Sequence, residues 1–150
     1  MELVQSYHQL NSFISEIRSL RKGFISNLFL HFEKHNLWIE KKELFYQATT
    51  EGYFIFRNNS MASYLFYITT DEFQLRKGLQ EITPQIKKTV MVDILEDSKI
   101  ESIKQVFFDN DFLLYEELNR MSRIGFDSAG IGSYICRTGR FGCYSSAFIF

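Results

Sequence analysis

Proline occurs once in this chain, at position 84, and cysteine twice, at positions 136 and 143. A single proline argues against an extended or disordered linker composition. Two thiols close together do not make the disulfide framework of a small secreted domain. Net charge is nearly absent as well. Seventeen Lys and Arg stand against eighteen Asp and Glu, giving -1, so no global field gathers polyanions and nucleic acid is not an expected partner. No apolar run approaches the roughly 20 residues that cross a bilayer. The opening "MELVQSYHQL" carries neither a basic leader nor a continuous apolar stretch. The expectation is a cytoplasmic protein with no membrane partner.

What is present is aromatic. Sixteen Phe and eight Tyr, in a chain that is 45% hydrophobic and 23% charged, favour a sheet-rich globular core. At 150 residues the chain can bury about two-thirds of its unfolded surface in one domain, and a second full domain does not fit.

Leu3, Tyr7, Leu10, Ile14, Ile17 and Phe24 recur at helical spacing and predict an amphipathic helix running to about Leu20. A shorter helix is expected within "NLFLHFEKHNLWIE", with Leu28, Phe32, His35 and Ile39 on one side and Glu33, Lys34 and Glu40 facing water. From Glu43 the period changes to two. "ELFYQATT", "GYFIFRNN" and "ASYLFYITT" read as three consecutive antiparallel strands, separated at Glu51 and Gly52 and at Asn58, Asn59 and Ser60. A helix follows through Leu75, Leu79 and Ile82, opened by Thr69 and Glu72 as a capping box and ended near Pro84.

"TVMVDILE" reads as a strand covered on both faces. Ser98 and Glu101 repeat the capping-box spacing before a helix through Ile103, Val106 and Phe107, and Asn110 stands where a left-handed stop is expected. "DFLLYEELNRMSR" reads as a further strand. The predicted fold class is α/β, with a mixed sheet, helices on both faces and the order α-α-β-β-β-α-β-α-β. The helical crossover between its third and fourth strands implies parallel pairing there.

That order, with "LWIEKKELFYQATTEGYFIFRNN", "YLFYITTDEFQLRKGL", "TVMVDILE" and "FLLYEELNRMSR", resembles the GNAT acetyltransferase fold without its opening and last strands. More narrowly, it resembles the N-terminal, accessory half of bacterial proteins built from two tandem GNAT-like halves. The resemblance covers about residues 1–124. It implies that acetyl-CoA chemistry belongs to the second half. GNAT enzymes hold the coenzyme pyrophosphate on main-chain N–H groups at the start of the helix after the third strand, in a loop resembling [Gln/Arg]-x-x-Gly-x-[Gly/Ala]. Here the corresponding residues are Ile68, Thr69, Thr70, Asp71, Glu72, Phe73 and Gln74. Glycine is missing from that stretch, and Asp71 and Glu72 compete with a phosphate for the positive helix end. No pyrophosphate loop is recognisable, so no coenzyme-binding residue is assigned.

The remaining candidates are weaker. His31 and His35 have the four-residue spacing of a shared metal, yet no third ligand is evident and a structural role is expected. Asp93 could act as a base in a pocket, but a carboxylate paired to a neighbouring Lys or Arg is the commoner outcome. Arg120 and Arg123 could meet an anion or simply solvate a strand edge. Trp38, Phe29 and Phe32 are expected in the core. Cys136 and Cys143 signal neither zinc nor redox chemistry. No catalytic and no metal-binding residue is assigned.

Residues 125–150 differ in composition. They hold five of the eight glycines and both cysteines, and no acid follows Asp127. Glycines flanked by arginines at 137–142 superficially suggest a phosphate loop, but no apolar-periodic helix follows to aim N–H groups at an anion. Two readings stay open. The segment is a native hairpin that covers the sheet edge through Tyr134, Ile135, Tyr144 and 148–150. Alternatively it is out of frame, because shifting 135–144 by one nucleotide permits a helix resembling the opening of a second GNAT-like half. The expected function is an accessory, catalytically silent GNAT-like domain with no cofactor, truncated or frameshifted after about residue 124. Its expected partner is a missing C-terminal half, or a second copy, at an exposed sheet edge. The alternatives are an acetyl-CoA-dependent N-acetyltransferase with an atypical loop, needing a cleft between the third and fourth strands, and a stand-alone protein-interaction module.

Overall fold

A computed structural model describes residues 1–60, 62–95, 99–120 and 143–149. In chain order these form β1 (Glu2–Leu3), α1 (Tyr7–Ser19), β2 (Ile25–Ser26), α2 (Phe32–Glu40), β3 (Leu44–Thr49), β4 (Gly52–Asn58) and β5 (Ser63–Thr69). Then follow α3 (Glu72–Ile82) with a 3-10 turn at Thr83–Gln85, β6 (Val90–Leu95), α4 (Ile100–Phe108), β7 (Leu113–Arg120) and β8 (Cys143–Ile149). The strands make one mixed sheet in the order β1-β3-β4-β5-β6-β8-β7, with β2 pairing on β5. No helix among the described residues is long and apolar enough to cross a membrane.

Strand alternation divides the core into two layers. Phe54 and Phe56 of β4, Leu65 and Tyr67 of β5, and Val90, Val92 and Ile94 of β6 face α3 and α4. Ile55 of β4 and Ile68 of β5 face the opposite way, toward Leu10, Phe13 and Ile17 of α1 and Trp38 of α2. The predicted α/β class, mixed sheet and helices on both faces are therefore present. The observed order differs from the expected one, with β1 ahead of α1, β2 between α1 and α2, and β8 after β7.

Local chemistry moves several boundaries. Leu3 belongs to β1, opposite Phe45, and α1 starts only after Ser6, whose hydroxyl accepts the Gln9 N–H at 3.3 Å. Phe24 lies past the helix end, beyond a left-handed Arg21. Phe13, outside the expected stripe, is buried and stacks on Tyr53 with ring centroids 4.1 Å apart. In α2 the buried residues are His35 and Trp38, whereas Phe32 and the preceding Phe29 are exposed, against the expectation that both join the core. An extended backbone at His31 delays the helix start, so Leu28 enters the core from a loop instead.

The hairpins follow their side chains. Asn59 Oδ1 accepts the Ala62 N–H at 2.8 Å in the β4–β5 turn, as turn asparagines do. The expected capping box at α3 is replaced by a simpler cap. Thr69 still belongs to β5 and its hydroxyl donates to the Asp71 carbonyl, leaving Asp71 as the residue whose carboxylate takes the Gln74 N–H at 2.9 Å. At α4, Ser98 lies outside the described residues, and Lys99 precedes the helix without a side-chain cap. The left-handed stop is Asp111, with φ 65°, not Asn110. Asn110 remains buried because its amide donates to the Val106 carbonyl at 2.8 Å, capping the last turn from within.

Strand β6 is not covered on both faces as expected: Val90, Val92 and Ile94 are buried, but Asp93 is exposed. The larger departure is β8. Its residues lie inside the sheet, antiparallel to β6 through Val92 and Phe148 and antiparallel to β7 through Leu114 and Phe148, rather than covering an edge. Of the expected hairpin, Tyr144 and Phe148 fall on β8, while Tyr134, Ile135, Phe150 and the glycines of 137–142 lie outside the described residues, as does Cys136.

Candidate functional site

Two features decide what the sheet can hold: the helix start after β5 and the gap between β5 and β6. At the helix start, Thr69 and Thr70 are buried between β5 and α3. The Thr70 hydroxyl donates to Glu51 Oε2 at 3.1 Å, and Glu51 also accepts from the Lys22 ammonium. That hydrogen bond from Lys22 holds the Glu51 carboxyl below its usual range, with Thr70 assisting against partial burial. Asp71 takes the Gln74 N–H. Glu72 accepts its own main-chain N–H, which keeps its carboxyl low, and it also accepts from Ser102 at 3.1 Å and pairs with Lys99 at 3.5 Å. Two of the N–H groups at this helix start, those of Glu72 and Gln74, are thus taken by the chain's own carboxylates.

The gap is also filled. β5 and β6 run parallel only from Ser63 and Val90 to Leu65 and Val92, after which they separate. A fork between parallel strands leaves main-chain donors and acceptors unpaired, and a ligand could satisfy them. Here β2 pairs with the upper part of β5, Ile25 opposite Thr69 and Ser26 opposite Ile68. The next residue, Asn27, is buried in the fork. Its Nδ2 donates to the carbonyls of Leu65 at 3.1 Å and Asp93 at 2.9 Å, and its Oδ1 accepts the Tyr67 N–H at 2.7 Å. Gly23 allows the segment this close. It adopts φ 125°, and a Cβ there would stand 2.6 Å from the Thr70 carbonyl oxygen. The Asn27 side chain thus stands between β5 and β6 where the two strands part.

Asn27 was not singled out by motif or spacing. Its signal in the sequence is a lone amide within the apolar run "FISNLFL", where a buried polar group must find partners.

The other candidates separate. His31 and His35 do not converge on an outside point: His31 Nδ1 accepts the Lys34 N–H at 3.4 Å, and His35 Nδ1 lies 2.8 Å from the His31 carbonyl and 3.0 Å from its N–H nitrogen. His35 is buried, its Nε2 has no hydrogen-bond partner among the described residues, and burial lowers its pKa. Among the described residues no three His, Cys, Asp or Glu side chains form a metal-holding group. Asp93 shows no ion pair among the described residues, so the expected Lys or Arg partner is not found there, and it lines a recess with Lys34, Trp38 and Arg57. Arg120 ends β7 and Cys143 begins β8, while Arg123 lies outside the described residues. No protein family, curated protein or solved structure matches this chain.

Proposed function

We propose that the chain is an accessory GNAT-like domain of a bacterial, cytoplasmic acetyltransferase-family protein, one that performs no acetyl transfer itself. The observation that carries this reading is the fork between β5 and β6, closed by Asn27 through three main-chain hydrogen bonds. Supporting it, β1 precedes the first helix and β8 follows β7, two strands that the resemblance calls for and the expected order lacked. The carboxylates of Asp71, Glu72 and Glu51 at the α3 start add an electrostatic obstacle to a diphosphate.

A thermal melt with millimolar acetyl-CoA tests the reading. A ligand that binds the folded state at concentrations far below its supply raises the midpoint. The accessory domain keeps its midpoint, whereas a clear rise favours the active N-acetyltransferase.

The partner in this reading is a second GNAT-like half or another copy. Leu113 and Leu114 at the start of β7 are exposed, and among the described residues β7 pairs only with β8. A strand edge with exposed leucines suits docking. A concentration-dependent mass in light scattering distinguishes self-association from a wait for a different chain.

A further inference from the structure

On the α2 side of the sheet, at the base of the fork, lies a recess of about 260 Å³. It falls just under the range of about 300–1,000 Å³ typical of drug-sized ligands, which suits a molecule of amino-acid size. Trp38 and Lys34 come from α2, Arg57 from β4, Tyr64 from β5 and Asp93 from β6. The Lys34 ammonium lies 4.9 Å from the centre of the Trp38 ring and the Arg57 guanidinium carbon 4.2 Å from it. Both cations are thereby held against one aromatic wall. Arg57 donates from Nε to Glu43 at 3.2 Å, which fixes the guanidinium plane and leaves its terminal nitrogens to other acceptors.

Lys34 and Asp93, opposite in charge, both line this recess without pairing to each other. Among the described residues neither Lys34 nor Asp93 has an ion-pair partner, and the Tyr64 hydroxyl makes no hydrogen bond. Lys34 and Arg57 are balanced in sign by Glu43 and Asp93, so a ligand with net charge would leave an excess. We propose that the recess binds a small zwitterion, its carboxylate on Lys34 and Arg57 and its ammonium on Asp93. Guanidinium and ammonium groups are the usual carboxylate receivers, and a carboxylate is the usual receiver for an ammonium group. This assignment does not depend on the accessory reading, because it needs no coenzyme and no transfer step.

Trp38 is the chain's single tryptophan, so intrinsic emission reports the recess directly. The full chain is titrated with ω-amino acids from glycine to 6-aminohexanoate, and with acetate and ethylammonium as half-ligands. At least one amino acid is expected to give a saturable change, with each half-ligand about tenfold weaker or worse. Lys34→Met and Asp93→Asn, checked for intact folding by circular dichroism, should each weaken that binding by about tenfold. No saturable change with any member of the series overturns the proposal. So does a change that both variants leave intact, or acetate binding as tightly as the best amino acid.

Discussion

Asn27 accepts the Tyr67 N–H at 2.7 Å from across 40 residues of chain, while its own nitrogen holds the carbonyls of Leu65 and Asp93. Asn27→Ala strips these buried groups of their partners and should cost about 2–4 kcal/mol by chemical denaturation. Asn27→Asp keeps the acceptor but sets a carboxylate against two carbonyls, which raises the new group's pKa in the folded state. A raised folded pKa contributes stability at low pH and loses it as pH rises. The deficit of Asn27→Asp relative to Asn27→Ala should therefore shrink between pH 7 and about 5. A constant difference would contradict the assigned hydrogen bonds.

Gly78 lies on the buried face of α3, where a Cβ would stand 2.1 Å from a carbon of the Phe54 ring. Helix propensity alone favours Gly78→Ala by about 1 kcal/mol. Overpacking opposes it by about 1–3 kcal/mol or more, so the variant should melt lower. Adding Phe54→Leu should recover part of the loss, and a double-mutant cycle in urea measures the coupling.

His35 is buried with its pKa below the ordinary 6.5. As pH falls below 6.5 the unfolded chain takes up a proton before the folded one does, so stability declines with decreasing pH. His35→Gln should flatten this part of the stability profile between about pH 6.5 and 5. The lowered carboxyls of Glu51 and Glu72, and that of Asp109, which accepts from the Arg76 guanidinium and the Gln105 amide, act in a separate window, with stability falling as pH drops below their ordinary values of 4.5 and 3.8.

Removing the acids at the α3 start separates electrostatics from occupancy. Asp71→Ala should cost about 1 kcal/mol through loss of the cap, and Asp71→Asn much less. The combined Asp71→Asn and Glu72→Gln variant should still show no thermal shift with acetyl-CoA, because Asn27 continues to bridge the fork. A shift gained on removing these charges alone would place the whole obstacle at the helix start.

Much of the layer architecture could be read in advance because it depends on period. The alternation along β4 and β5 sorts Phe54, Phe56, Leu65 and Tyr67 from Ile55 and Ile68 without tertiary information. Caps were harder. Thr69 and Asp71 both suit a helix start, and the choice depends on how far β5 extends along β4, which pairing across the sheet decides. The exposure of Phe29 and Phe32 is not legible in the sequence because a helical stripe cannot be phased until the first helical residue is known. The fork could not be foreseen: two strands diverge there, and the polar groups that Asn27 satisfies lie far away in the chain. Asp93 was legible as a strand residue, but its outward direction was hidden by the apolar neighbours Met91 and Leu95.

The position of β8 imposes an order of events on synthesis. Strand β7 finds its described ladder only on residues that leave the ribosome after it, so Leu113–Arg120 must wait, unattached to β6, until Cys143–Ile149 has been made. The first five strands and their helices face no such delay. Closure of this side of the sheet is therefore a late, long-range step, and released chains truncated before residue 143 should show β7 protease-sensitive while β3, β4 and β5 are already protected.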